Sequence, residues 1–139
     1  MFEADLLKDK NIIITGGGTG IGYEIAKSFL NSGSNVAIIG RRNDVLDGSC
    51  VQIKKEIPGS DENIIAISCD MSDELSVGNM FQTIHSTYQY IDILINNCGT
   101  WTLDMISELE NDEIDKQYNN ILKSTILGTK YAAKYMNKG

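Results

Sequence analysis

At 139 residues, 42% hydrophobic and 22% charged with a single proline, the chain is one domain's worth of sequence, long enough to bury a real core. Its net charge of −7 argues against a nucleic-acid partner, because neutralising phosphates needs a basic face. Three separated cysteines (Cys50, Cys69, Cys98), one histidine (His85), a charged N-terminus and no long apolar run argue against zinc, a signal peptide and a membrane span; a cytoplasmic protein with reduced thiols is expected.

The first element is the run Asn11–Thr15, whose Ile12-Ile13-Ile14 centre reads as a buried strand. It leads directly into Thr15-Gly16-Gly17-Gly18-Thr19-Gly20-Ile21-Gly22. The glycines mark a sharp turn from strand into helix. Such a turn aims unpaired N–H groups at one point, with the positive end of the helix dipole behind them, which is a seat for a pyrophosphate. A side chain there would hold the phosphates away or clash with the turn. The segment therefore predicts a dinucleotide site. The helix that follows, Ile21–Asn31, has Ile21, Ile25, Phe29 and Leu30 as its apolar positions and stops at Gly33.

A second strand is predicted over Asn35–Gly40, then a helix over Asn43–Glu56 with Val45, Leu46, Val51 and Ile53 near one face. A third strand, Asn63–Cys69, precedes a helix N-capped by Ser72, with Leu75, Val77, Met80, Phe81 and Ile84 behind it. The fourth strand is Ile91–Asn96, and a last helix runs from about Asn111 to Asn137 on a mixed stripe that includes Ile114, Tyr118, Ile121 and Leu122. Alternation of strands and helices implies an α/β fold: a doubly wound, Rossmann-like parallel sheet of order 3-2-1-4 over residues 1–139. A cofactor would lie over the carboxyl ends of strands 1 and 4. Strand 4 is left as an apolar edge, and the last helix reads as a crossover without its next strand.

Four motifs in order, each at a strand end, resemble the short-chain dehydrogenases/reductases: the glycine segment, Gly40-Arg41-Arg42, Cys69-Asp70-Met71 and Asn96-Asn97-Cys98-Gly99. The last matches the family's Asn-Asn-Ala-Gly with Cys98 in the alanine slot. The resemblance covers the whole chain but only the N-terminal half or so of a family member. It implies that Gly16, Gly18, Thr19, Gly20 and Ile21 line the pyrophosphate and its flanking riboses, while Gly22 lets the helix pack tightly. Asp70 and Met71 would border the adenine, although Asp70 is also placed to cap the helix near Ser72. Asn97, Cys98 and Gly99 would run beside the nicotinamide ribose, and Asn96 would tie neighbouring strands. Where NAD users place a carboxylate, this chain has Gly40 followed by Arg41 and Arg42. Two guanidinium forks suit a 2′-phosphate, so NADP(H) is favoured over NAD(H); the alternative is that one or both arginines are merely solvated.

The family's catalytic serine lies on the next strand and its Tyr-x-x-x-Lys pair on the helix after that, so no catalytic residue is assigned here. The one such spacing, Tyr23 to Lys27, falls just past the glycine loop and reads as chance. In the last helix Ile121 occupies the family's asparagine slot, with Asn119 and Asn120 just before it; a one-residue shift in the helix would present Asn120 there instead. The resemblance thus implies the cofactor-binding part of an NADP(H)-dependent oxidoreductase acting between nicotinamide and a carbonyl or alcohol, inactive on its own. The alternative is a non-catalytic nucleotide-binding or interaction module that uses the strand 4 edge and the last helix. Expected partners are the dinucleotide, a small-molecule substrate in a longer protein and a second copy through the last helix, with no membrane and no metal.

Overall fold

The computed structural model describes residues 6–136. Its strands are β1 (Asn11–Thr15), β2 (Asn35–Gly40), β3 (Ile64–Ser68) and β4 (Ile93–Ile95). They form one parallel sheet in the order β3-β2-β1-β4, as expected from the crossovers. Helices α1 (Gly20–Asn31) and α2 (Asn43–Glu56) lie on one face. The other carries α3 (Glu74–Tyr88) and α5 (Ser124–Tyr135), with the short α4 (Asn111–Gln117), which buries no residue, leading into α5.

The period of two along β1 and β2 divides the core. Ile12, Ile14, Val36 and Ile38 face α1 and α2, packing against Ala26, Leu30, Leu46 and Ile53. Ile13, Ala37 and Ile39 face Val77, Met80, Phe81 and Ile84 of α3 and Leu127 and Ala132 of α5. Each fully buried isoleucine contributes about 1.5–3 kcal/mol. Several expected apolar positions turn outward: Ile21, the last-helix stripe Ile114, Tyr118, Ile121 and Leu122, and one position on each of α2 and α3. Val51 and Leu75 are exposed, because α2 buries Leu46, Ser49 and Ile53 at steps of three and four, and α3 buries Val77, Met80, Phe81 and Ile84. Among the described residues no helix is long and apolar enough to cross a membrane.

At the end of the sheet opposite the strand carboxyl ends, three asparagines form a ladder. Asn63 Nδ2 donates to Asn35 Oδ1 at 2.7 Å, and Asn35 Nδ2 donates to Asn11 Oδ1 at 3.0 Å. Asn11 in turn donates to the carbonyls of Tyr88 and Tyr90.

Beside it, β4 begins later than its apolar run suggests. The Asn11 N–H donates to the Asp92 carboxylate at 2.8 Å, and Lys10 pairs with the same side chain at 3.0 Å. The Asp92 N–H donates to the Asn11 carbonyl at 2.9 Å, so a backbone bond and a side-chain bond together join the two residues just before the strand. Ile91, expected in the strand, instead forms a parallel bridge with Met136, and its N–H donates to the Tyr135 carbonyl. That bridge stops the last helix at Tyr135; Asn137, expected within it, lies outside the described residues.

The last helix is also not one continuous α-helix. Tyr118–Lys123 is π-helical, between α4 and α5. The wider turn frees carbonyls that hydroxyls take up: Ser124 donates toward the Asn120 and Ile121 carbonyls, and Thr125 donates to that of Ile121 at 2.7 Å.

Candidate functional site

A cleft of about 450 Å³ opens at the carboxyl ends of the strands. All twelve residues expected at the dinucleotide line it: Gly16, Gly18, Thr19, Gly20, Ile21, Arg41, Arg42, Asp70, Met71, Asn97, Cys98 and Gly99.

The glycine loop leaves β1 through Gly16 at φ +66° and enters α1 through Gly20 at φ +55°, both left-handed values that exclude most side chains. Gly22 sits beneath the loop, where an added Cβ would collide with the Gly16 carbonyl oxygen and come within 2.6 Å of the Asn97 amide nitrogen. The constraint there is close approach to the loop and the β4 end. Helix α1 starts without a side-chain cap and without an acidic residue in its first turn. Its positive end therefore faces the cleft uncompensated.

Opposite the loop, the chain after β4 is held by Thr15. The Thr15 hydroxyl accepts the N–H groups of Asn97 and Cys98 at 3.0 and 3.1 Å and lies 3.3 Å from the Ile95 carbonyl. The Asn97 side chain donates to the carbonyls of Thr15 and Gly16. It is Asn97 that ties the neighbouring strand ends; Asn96 instead donates to Thr129 on α5 at 3.2 Å, because its side chain faces the helix layer. Burial pushes the Cys98 and Cys69 thiols above the usual range, so both stay protonated at neutral pH.

After β3, the Asp70 carboxylate accepts the Ser72 N–H at 2.9 Å and the Ser72 hydroxyl at 2.7 Å. These bonds, foremost the backbone one, hold the carboxyl below its usual range, and Arg41 adds to the effect. The Ser72 hydroxyl is therefore committed to Asp70, and Asp73 caps α3 by accepting the Ser76 N–H at 2.8 Å. This corrects the expected cap at Ser72 and leaves Asp70 closing the turn before the helix. Met71 is buried beneath the cleft.

Arg41 and Arg42 are exposed at the end of β2, and among the described residues neither guanidinium is in an ion pair. Gly40 keeps that corner open.

The cleft also contains residues that were not assigned from the sequence. Ser72 and Thr100 line it beside predicted neighbours. Asn120 lines it as well, donating to the Thr100 hydroxyl at 3.3 Å, while Ile121 is exposed. The one-residue offset is a property of the π-helical turn, for which the apolar stripe carries no signal. Trp101 lies on the rim and is 78% exposed; Thr102 and Met105 fall outside the lining. Tyr23 and Lys27 are also outside it: Lys27 pairs with Glu56 of α2 at 2.5 Å, its ammonium 5.5 Å from the Tyr23 ring.

The family model described as short chain dehydrogenase matches residues 10–139. The Oryza sativa subsp. japonica protein "Chlorophyll(ide) b reductase NOL, chloroplastic" is 34% identical over 98 residues, which cover 70% of this chain and 28% of that protein. The "Short chain dehydrogenase/reductase dpmpG" of Macrophomina phaseolina (strain MS6) is 27% identical over 135 residues, 96% of this chain and 75% of that one. Among solved structures, a short chain dehydrogenase from Burkholderia cenocepacia J2315 in complex with NADP superposes with a TM-score of 0.84 at 28% identity. It covers 95% of this chain and 53% of its own length is matched, so this chain spans about a quarter of the rice relative and about half of the bacterial structure. On the match over residues 10–139, the chain belongs to the short-chain dehydrogenase/reductase family.

Proposed function

We propose that the chain is the cofactor-binding part of an NADP(H)-dependent oxidoreductase acting between nicotinamide and a carbonyl or alcohol carbon. The observation that carries this reading is the uncapped start of α1 opening onto the same cleft as two unpaired guanidiniums. The cradle fits a dinucleotide: Gly16 and Gly20 hold the turn, and Gly22 leaves room for it. In this reading the loop N–H groups and the α1 dipole hold the pyrophosphate. Arg41 and Arg42 hold the 2′-phosphate, and Asp70 accepts the adenine amino hydrogen beside Met71. The backbone of Asn97, Cys98 and Gly99 flanks the nicotinamide ribose. The bound nicotinamide supplies or accepts the hydride.

The cofactor complex of a similar protein supports the choice: the Burkholderia protein, 28% identical, is described in complex with NADP. Among the described residues, no tyrosine or lysine lines the cleft, so this reading assigns no proton-transferring group. Exposed Tyr118, Leu122 and Ile126 support pairing of two copies through the last helix. Three free thiols suit a reducing compartment such as the cytoplasm.

Titration of the Arg41→Ala/Arg42→Ala protein tests the cofactor preference. Charge-assisted contacts are worth about 1.5–3 kcal/mol each, so NADPH affinity is expected to fall roughly tenfold or more beyond any loss of NADH affinity. Equal losses for the two cofactors would mean that the arginines do not read the 2′-phosphate.

A further inference from the structure

Helix α2 does more than cover the sheet: it holds the glycine loop. Ser49 is almost fully buried, and its hydroxyl lies 2.6 Å from the Gly18 carbonyl and 2.7 Å from the Val45 carbonyl. A hydroxyl carries one proton, so it donates to one of these oxygens at a time. The Val45 carbonyl is four residues back on the same helix, where the helical ladder already supplies it with a donor. The Gly18 carbonyl belongs to the loop, 31 positions away in sequence. Apolar side chains of α2 also crowd the loop here: a Cβ added to Gly18 would lie 3.0 Å from the Leu46 side chain and 3.5 Å from that of Val45.

We infer that Ser49 is a positioning residue for the dinucleotide, an inference that rests on the cofactor reading above. The peptide linking Gly18 to Thr19 is trans, so its C=O and N–H point in opposite directions. Drawing the Gly18 carbonyl toward α2 aims the Thr19 N–H away from α2. It also fixes the orientation of a glycine-flanked peptide whose torsions are otherwise soft. Helix α2 begins directly after Arg41 and Arg42. One hydroxyl thereby sets the spacing between the pyrophosphate seat and the guanidiniums proposed to hold the 2′-phosphate.

The test is calorimetric titration of the protein, Ser49→Ala and Ser49→Cys with two probes. NADPH spans both halves of the site. Adenosine 2′-monophosphate carries the adenine, ribose and 2′-phosphate but no pyrophosphate. Alanine removes the hydroxyl and leaves a small gap; cysteine fills the gap with a much weaker donor. Both variants are expected to bind NADPH about three- to tenfold more weakly, the scale of one hydrogen bond, and to keep adenosine 2′-monophosphate affinity within about twofold. With NADPH bound, protection of the Thr19 amide from exchange is expected to be lower in both variants than in the unaltered protein, with β1 unchanged. If alanine prevents folding, the cysteine variant alone decides. Unchanged NADPH affinity would overturn the inference, as would equal losses for the two probes, which would indicate a general disturbance of α2. Failure of the unaltered protein to bind NADPH would instead overturn the cofactor reading and this inference with it.

Discussion

Thr15 shows how much of the site one side chain organises. Its hydroxyl takes two backbone N–H groups, those of Asn97 and Cys98, and so decides where β4 stops and its chain turns into the cleft. Thr15 is 1% exposed, so water cannot substitute for the hydroxyl. Valine has nearly the same shape and no acceptor. Leaving buried donors unsatisfied costs about 1–3 kcal/mol each, so Thr15→Val is expected to lose about 2–4 kcal/mol of unfolding free energy in denaturant titration. Thr15→Ser keeps the acceptor and is expected to lose much less. Equal stability of the valine variant and the unaltered protein would show that the two amides find other partners. Thr15 stood out in the sequence as the head of the glycine segment, but its task could not be read there. Its partners are backbone amides 82 and 83 positions away, and backbone amides leave no mark in a sequence. Asn97 illustrates the same limit. Its place in the motif was legible, whereas the strand-tying role fell to it instead of to Asn96 only because of the way β4 ends.

The elements were legible wherever one force decided them. Branched apolar runs bounded by glycine became β1 and β2 with the expected limits, because these strands are buried on both faces. The elements that differed are those where a polar side chain competes with the backbone. The Asp92 carboxylate takes the Asn11 N–H at the start of β4, and the hydroxyls of Ser124 and Thr125 accompany a π-helical turn that an apolar stripe tolerates as readily as an α-helical one. That turn is what brings Asn120 into the cleft in place of Ile121. The asparagine ladder is the strongest such case, since three polar residues at the amino ends of β1, β2 and β3 have no hydrophobic signature. Asn35 is its middle member, accepting from Asn63 and donating to Asn11. Asn35→Ala therefore removes two bonds and leaves both neighbours short, while Asn63→Ala removes one at the end of the row. At about 1 kcal/mol for each bond lost, and more where a partner stays buried, the middle substitution is expected to lower the denaturation midpoint more than the terminal one. Equal effects would mean that the ladder does not act as a connected unit.

At the scale of the whole molecule, one end of the sheet is braced by the asparagine ladder and the other is open around a cleft edged with charge. Acid should act on the two ends differently. The asparagines do not titrate, but Asp70 at the cleft is held below the ordinary carboxylate value of 3.8 by its bonds from Ser72. Glu56 and Glu74 are also lowered, through Lys27 and Lys130 respectively, the first pair half-buried and the second exposed, and both are open to screening by salt. A carboxyl whose pKa is lower in the folded state binds fewer protons folded than unfolded. Its stabilising contribution is complete above the ordinary value and is lost as pH falls through the lowered folded value. The melting temperature of the protein is therefore expected to hold steady from neutral pH down to about 5 and to decline below the ordinary carboxylate range. Asp70→Asn separates the cleft from those ion pairs, because asparagine keeps an acceptor for Ser72 but carries no charge. The gap in melting temperature between the two proteins should be widest above pH 3.8 and close as acid protonates Asp70 in the unaltered protein. High salt should shrink the contribution of the Glu56 and Glu74 ion pairs more than that gap, since the Asp70 bonds, though also exposed, are short hydrogen bonds from a neutral residue and not pairings of two full charges. A gap that stays constant through the acid range would show that the Ser72 bonds do not depend on the Asp70 charge, and that the turn leading into α3 is held by its backbone alone.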